Sequence, residues 1–407
     1  MNNIKIRRIV TGSAPFLSGS IAILLAIAII SSPESSFEAS LQGIKLWWTL
    51  VFPALLPFLI LSEMLTASGF VHGFGVLLEP LMKKIFRLPG ASGWTLVLGA
   101  TAGFPGGAGG VMQLHKQGSI TDKEAGRLAS LAHFASPITL LIVIGVAFLH
   151  SPSAGYFLLA IHWISGLLAG YTDALLNGKP KHAPSFKREN PMTKRPSLLK
   201  RVSLAANEAR VRDGRNFGQL LGESVASAVQ NLMILGGYMI IFAVIINIAT
   251  SLFPMIPTAL PAGLMEIHLG ANAISTWMTS SSELNTILGM ALLSAALGWS
   301  GLCAQLQVLT MLKQAGVRFL PYAVVRLLHG LYAFLLTLLL WKPLLSFRQA
   351  TLPTLAGSET APSGTVDVIA IWSSFPQLLS LQTLLLLILL LFSTVIYLIT
   401  AIRHRFG

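Results

Sequence analysis

Long apolar stretches recur along the chain, separated by short polar segments. About 20 consecutive apolar residues are enough to cross a bilayer as a helix, and residues 380–401 carry no charge at all. The pattern therefore predicts an all-α, polytopic membrane protein. The predicted spans cover residues 15–30, 44–65, 128–149, 156–176, 224–248, 320–341 and 375–401.

One apolar segment, residues 88–114, is too long and too rich in glycine for a single straight helix. Its 27 uncharged residues would span about 40 Å, which exceeds the ~30 Å hydrocarbon core. Five glycines surround Pro105, and glycine costs about 1 kcal/mol and proline about 3 kcal/mol inside a helix. Basic residues flank both ends, which places both on the cytoplasmic side. We expect a re-entrant hairpin over about 88–118, broken across residues 103–110.

The second half of the chain repeats this plan. Residues 284–312 are also uncharged and are interrupted at Gly298-Trp-Ser-Gly301. A second re-entrant hairpin is expected over about 284–314. Because the halves enter the membrane from opposite sides, residues 41–176 and 218–342 are predicted to be inverted repeats. Within the second repeat, the short segment 262–276 is expected to be an interfacial helix, with Glu266 and His268 near the surface.

Composition and charge support the membrane assignment and refine its orientation. Hydrophobic residues make up 54% of the chain and charged residues only 11%, whereas soluble domains carry about 25% charged residues. Eleven of the 28 Lys and Arg residues lie between Lys179 and Arg215. This concentration of charge favours a cytoplasmic loop at residues 177–217 and argues against a nucleic-acid-binding surface. The loop is expected to have little regular structure. Residues 1–40 would form a first helix and an outer loop (31–40), and 343–407 a linker and a last helix.

Broken helices suggest where a ligand binds. Free N–H groups at a helix N-terminus bind anions, and irregular backbone inside a membrane is tolerated where it lines a cavity or is buried in protein. The glycines of the first break would let a ligand approach the backbone, although tight helix packing also uses glycine. The candidate substrate-contacting residues lie at the breaks and at polar positions within spans: Gly103, Phe104, Pro105, Gly106, Gly107, Ala108, Ser136, Asn231, Ser300, Gly301, Gln305, Gln307 and Arg326.

Arg326 is open to two interpretations. Its guanidinium could contact an anionic substrate through two hydrogen bonds, or it could extend to the membrane interface. Motifs for zinc ligation, phosphate loops or nucleophilic catalysis are absent from the sequence. We therefore expect neither enzymatic activity nor a cofactor or metal ion. The expected partners are a small anionic solute and the lipid bilayer, without nucleic acid, and the oligomeric state stays open.

Several short runs resemble the YlbJ, or SpoVV, family of sporulation integral membrane proteins. They are Gly103-Phe-Pro-Gly-Gly-Ala108, Ala135-Ser-Pro137, Gly263-Leu-Met-Glu-Ile-His-Leu-Gly270, Ser300-Gly-Leu302 and Gln307-Val308. The resemblance implies membership of the nucleoside-recognition (Gate) superfamily and a fold similar to concentrative nucleoside transporters. It also implies transport of dipicolinic acid, an aromatic dicarboxylate, across the outer forespore membrane. The alternatives are a transporter of a nucleoside or another solute, and a non-transporting scaffold in spore-envelope assembly.

Overall fold

The computed structural model describes residues 19–177, 197–279, 283–351, 387, 390, 391 and 393–395. Every regular element in these ranges is a helix, and five are long and apolar enough to cross a membrane. The predicted all-α, polytopic architecture is therefore confirmed. Most of the predicted last span, residues 375–401, lies outside the described residues, as does the start of the first.

The helices are numbered in chain order. They are α1 Gly19–Ser31, α2 Pro33–Ala67, α3 Phe70–Leu77, α4 Glu79–Lys84, α5 Gly93–Ala102, α6 Phe104–Lys116, α7 Asp122–Leu131, α8 Thr139–Phe148 (a π-helix), α9 Pro152–Leu176, α10 Leu198–Asp213, α11 Phe217–Leu252, α12 Ala259–Met265, α13 Ile267–Thr279, α14 Glu283–Trp299, α15 Gly301–Met311 and α16 Phe319–Thr351.

Helix α2 begins earlier than the hydropathy pattern predicts. The expected outer loop 31–40 is wrong, because the helix starts at Pro33. Proline suits the first turn, where its missing N–H has no intrahelical partner in any case. The helix widens into a π-helical turn at Trp47–Val51. There the Trp47 Nε1 donates a hydrogen bond of 2.9 Å to the Leu232 carbonyl, which joins α2 to α11.

At the position of the first predicted hairpin, two helices, α5 and α6, lie side by side. A Cβ added at Gly106 would lie 2.7 Å from the Ala102 Cβ, and one at Gly107 would lie 3.2 Å from the Gly99 Cα. The break is a single residue, Gly103, and not residues 103–110 as expected. The other glycines belong to α6, where Gly106, Gly107 and Gly110 permit close approach of neighbouring residues, whereas a Cβ at Gly109 would have nothing within 4 Å.

The second hairpin is not at 284–314, as the sequence predicted, but at α12 and α13. A Cβ added at Gly270 would lie 2.5 Å from the Gly263 Cα, so these two helices are packed against each other. The tip is Glu266, whose backbone is extended, with φ −143° and ψ 130°. In the predicted location α14 packs along α16 and α13, whereas α15 packs against α6 and α12. That pair is a broken helix and not a hairpin.

Each half of the chain also contains one broken helix after its hairpin. The predicted continuous span 128–149 is wrong, since the non-helical residues 132–136 separate α7 from the helix that leads into α8. In the second half, α14 and α15 are separated at Ser300, and Ser300 and Gly301 both have positive φ, 68° and 72°. Each hairpin tip meets the broken helix of its own half. A Cβ on Gly103 would lie 3.2 Å from Ser136, and one on Gly301 would lie 2.9 Å from the Met265 carbonyl oxygen.

The basic loop also contains regular structure that the sequence analysis missed. Residues 178–196 lie outside the described residues, but Leu198–Asp213 is a helix, α10, that packs on α3. Lys83 and Arg201 both pair with Glu79, which ties α10 to α4. Burial raises the pKa of Glu79, but the hydrogen bonds and charges of Lys83 and Arg201 outweigh it and hold the pKa below its ordinary value of 4.5.

Acid is therefore expected to loosen the contact between α10 and α4. A carboxylate with a lowered folded-state pKa contributes stability above its unfolded pKa, and this stability is lost as the pH falls through the folded pKa. Partly exposed pairs of this kind contribute about 0.2–1 kcal/mol each. Fluorescence energy transfer between labels on α10 and α3 should fall as the pH drops below about 4.5. Glu79→Gln should be looser at neutral pH and lack this step; an unchanged step in that variant would contradict the assignment.

Candidate functional site

A pocket lies between the tips of the two hairpins and two neighbouring helices, α2 and α11. Its empty volume is about 520 Å³, which includes space open to solvent at its mouth. The lining residues are mostly apolar, with five polar side chains. They are Leu55, Leu59, Ala102, Gly103, Phe104, Pro105, Ala135, Ser136, Thr139, Asn231, Leu232, Leu235, Ile267, His268 and Gln307.

Three helices begin at this pocket. Helix α6 begins at Phe104, α8 at Thr139 and α13 at Ile267, and all three residues line the pocket. The Ser136 Oγ accepts a hydrogen bond of 3.2 Å from the Thr139 N–H, whereas α6 has no side-chain cap. First-turn N–H groups lack intrahelical partners, and each helix N-terminus carries a partial positive charge. The N-termini of α6 and α8 therefore place partial positive charge at the pocket, although Lys and Arg are absent from its lining.

His268 is the one titratable side chain among the lining residues. Its Nδ1 lies 2.9 Å from the Glu266 Oε1, and its Nε2 has no hydrogen-bond partner among the described residues. Gln307 also lines the pocket, and its Oε1 has no partner there either. Rotation of that amide would exchange its oxygen and nitrogen, so Gln307 can present a donor or an acceptor to a ligand.

Glu266 supports His268 from the hairpin tip. Its second carboxylate oxygen accepts a hydrogen bond of 2.7 Å from the Leu269 N–H in the first turn of α13. Glu266 is fully buried and His268 is only 2% exposed. The prediction that both residues lie at the membrane interface is therefore wrong. Burial of the carboxylate is tolerable because two donors and a helix N-terminus surround it.

The structure brings part of the predicted site together. Gly103, Phe104, Pro105, Ser136, Asn231 and Gln307 line the pocket. The other candidates, Gly106, Gly107, Ala108, Ser300, Gly301, Gln305 and Arg326, do not belong to its lining. Gly106 and Gly107 pack within the first hairpin, as described above, and the Gln305 Nε2 donates 2.9 Å to the Trp299 carbonyl at the second broken helix.

Arg326 connects the two broken helices and faces neither the pocket nor the membrane interface. Its Nη1 donates to the carbonyls of Ser130 (3.0 Å) and His133 (2.8 Å), where α7 ends. Its Nη2 and Nε donate to the Gly298 carbonyl, where α14 ends, and Nη2 also contacts the His329 Nδ1. A cation is favourable at a helix C-terminus. One guanidinium thus stabilises two such ends at once.

His133 lies between this arginine and the pocket. Its ring stacks on the lining residue Phe104, with centroids 5.1 Å apart and planes at 13°. Its Nδ1 contacts the Tyr322 hydroxyl, and both side chains are buried. The position of the first hairpin tip is therefore coupled by direct contact to the network around Arg326. Within the described residues no cluster of three His, Cys, Asp or Glu side chains could hold a metal ion.

The sequence analysis did not select three pocket residues that lie at helix starts: Thr139, Ile267 and His268. Thr139 was hidden because residues 128–149 read as one uninterrupted span. Ile267 and His268 were assigned to a short interfacial helix because the segment follows a proline-rich stretch and carries a glutamate. The useful signal is the length of the segment, since residues 259–279 are enough for two short helices and too few for a span plus a linker.

Comparison with known proteins identifies the family. The model of the family described as Gate: Nucleoside recognition matches residues 48–166, which include α5–α8 and most of α2 and α9. The sporulation integral membrane protein YlbJ of Bacillus subtilis (strain 168) is 36% identical over 348 residues, covering 81% of this chain and 83% of that protein. No solved structure gives a significant match. The chain therefore belongs to the YlbJ family of sporulation integral membrane proteins.

Proposed function

We propose that this protein is a membrane transporter that moves dipicolinate, a small aromatic dicarboxylate, across the outer forespore membrane during spore formation. The observation that carries the proposal is the pocket between the two hairpin tips, which three helix N-termini face. Its lining contains no Asp or Glu, and the nearby Glu266 carboxylate is engaged by His268 and by the Leu269 N–H. The sporulation relative supplies the cellular context.

The chemistry of the pocket suits a flat dicarboxylate. Phe104 and the leucines of α2 and α11 offer apolar surface to an aromatic ring. The N-termini of α6 and α8 offer positive potential for carboxylates, and Asn231 and Gln307 add amide groups. The lining holds no Lys or Arg, so the anion is held by partial charges and can be released on the other side of the membrane.

The arrangement of the helices favours a transport cycle. In our proposal, residues 41–176 and 218–342 are inverted repeats, each with a re-entrant hairpin, a broken helix and a long span. The hairpins are α5–α6 and α12–α13, and the pocket lies where their tips approach. Inverted repeats around one central site are typical of secondary transporters, which expose that site alternately to the two sides. Movement of a hairpin tip would open one side of the pocket.

A nucleoside transporter is the second candidate. The match of residues 48–166 to the nucleoside-recognition family favours it. A nucleoside is neutral, so its binding would depend on the amides of Asn231 and Gln307 and not on the helix N-termini. Fold alone does not decide between the two, because one fold serves many substrates.

Binding to the purified protein tests the proposal directly. Calorimetry should show dipicolinate binding at least about tenfold more tightly than pyridine-2-carboxylate, a difference of about 1.4 kcal/mol, because the second carboxylate meets a second helix N-terminus. Uridine serves as the neutral comparison, and uptake into proteoliposomes tests movement. Uridine binding without dipicolinate binding would favour the second candidate. Normal dipicolinate content in spores of a deletion strain would refute the transport role.

A further inference from the structure

Glu266 and His268 form a buried acid–imidazole dyad at the tip of the second hairpin, and its imidazole can bind a proton as well as a ligand. The dyad joins α12 to α13, and His268 faces the pocket as the second residue of α13. The His268 Nδ1 is occupied by Glu266, whereas Nε2 finds no partner among the described residues. Leaving a buried polar group unpaired is unfavourable. A ligand carboxylate at this position would offset that cost.

The hydrogen bond to Glu266 determines what His268 can offer. An ionised carboxylate only accepts hydrogen bonds, so the ring proton lies on Nδ1. The Nε2 of the neutral ring is then an acceptor, and it becomes a donor only when the ring is protonated. A substrate carboxylate is itself an acceptor, so it pairs only with the protonated ring. The adjacent Glu266 carboxylate compensates the positive charge of that form.

Few other titratable groups face the dyad. Helix α13 packs against α12, α14, α15 and α8. Among the described side chains of those elements, the one titratable group is the buried thiol of Cys303 on α15. No Lys or Arg among those side chains competes for Glu266 or takes the place of His268 as the cation. The charge at this tip is therefore set by the dyad.

We propose that protonated His268 donates its Nε2–H to a carboxylate of the substrate, with Glu266 as the positioning residue, so that each binding event takes up one proton. The inference rests on the proposed anion transport and deepens it, because it specifies a proton as the coupled ion. The balance is simple: one proton moves from solvent to the imidazole as the dicarboxylate enters, and both leave together on the other side.

Proton uptake can be measured on the wild-type protein. Dipicolinate binding should be followed by calorimetry in two buffers with different ionisation enthalpies, from pH 5.5 to 8.5. We expect uptake of about one proton at the alkaline end, and an affinity that falls there about tenfold per pH unit, because only the protonated ring pairs with the anion. Binding of dipicolinate without proton uptake would overturn the inference and leave the proposed function standing.

Two variants and a control separate a binding role from a structural one. His268→Gln should bind about tenfold or more weakly, since a charged hydrogen bond is lost, and its affinity should no longer change with pH. Glu266→Gln should keep proton uptake but shift the pH profile to lower pH, because the compensating charge is gone. His150→Gln, in the turn between α8 and α9, should match the wild type.

The outcomes distinguish the two proposals. If the wild-type protein does not bind dipicolinate at any pH, the proposed function fails and the inference falls with it. If the wild type binds but His268→Gln keeps the same affinity and pH profile, only the inference fails. Thermal melting reports whether each variant is folded. Should His268→Gln not fold, the proton count of the wild type and the profile of Glu266→Gln decide the matter.

Discussion

Gly103→Ala should eliminate most substrate binding and destabilise the first hairpin. Gly103 has φ +85° and ψ −175°, a backbone conformation that is essentially restricted to glycine and costs other residues about 1–3 kcal/mol. The added Cβ would also lie 3.2 Å from the Cβ and from the N of Ser136. Because Gly103 and Ser136 both line the pocket, relief of this contact must change its shape. We expect dipicolinate affinity to fall at least about tenfold.

Gly109→Ala provides the matched control. Gly109 lies in α6, the helix that begins directly after Gly103, and a Cβ there would have no heavy atom within 4 Å. Replacing glycine by alanine inside a helix is favourable by about 0.5–1 kcal/mol, so this variant should be as stable as the wild type or more so, with unchanged affinity. Calorimetry and thermal melting on both variants complete the comparison. Equal binding by the two would show that the geometry of Gly103 does not support the site.

The contrast between the hairpin tips explains what the sequence could and could not predict. The first tip needs a positive φ, so it requires a glycine, and the glycine-rich run pointed to it. The second tip is extended at Glu266, a conformation open to any residue, so it leaves no glycine signal. The glycine signal at Gly301 is genuine, since its φ is +72°, but it marks a broken helix and not a hairpin.

Burial was harder to predict than helicity. Apolar length and loop charge were enough for the long spans such as α9 and α16, because the bilayer requires about 20 apolar residues. A charged residue, in contrast, is predicted to be exposed at the surface unless a partner that would pair with it in the interior is known. The partner of Glu266 is two residues away at His268, a contact that forms only because the backbone turns at that point. Arg326 is a similar case, since its acceptors come from α7 and α14.

Substitution of Arg326 should have the largest effect on stability. Arg326→Ala would leave the carbonyls of Ser130, His133 and Gly298 without their donor in a buried region. A buried acceptor left without its donor costs about 1–3 kcal/mol, so three of them together amount to a large fraction of the roughly 5–15 kcal/mol by which a typical protein is stable. We expect a strongly lowered melting temperature in detergent and little purified protein. Arg318→Ala, at an exposed position before α16, should change stability by less than about 0.5 kcal/mol.

Arg326→Lys separates a structural role from a ligand-binding one. Lysine keeps the charge but offers one point of attachment in place of the planar fork, so it cannot reach the ends of α7 and α14 together. We expect an intermediate loss of stability, while the folded fraction binds dipicolinate as the wild type does, because Arg326 does not line the pocket. A variant with wild-type melting temperature and no binding would instead make Arg326 a direct substrate contact. The expected result would mean that anion recognition depends on helix N-termini and His268, and that the buried arginine holds together the two broken helices beside them.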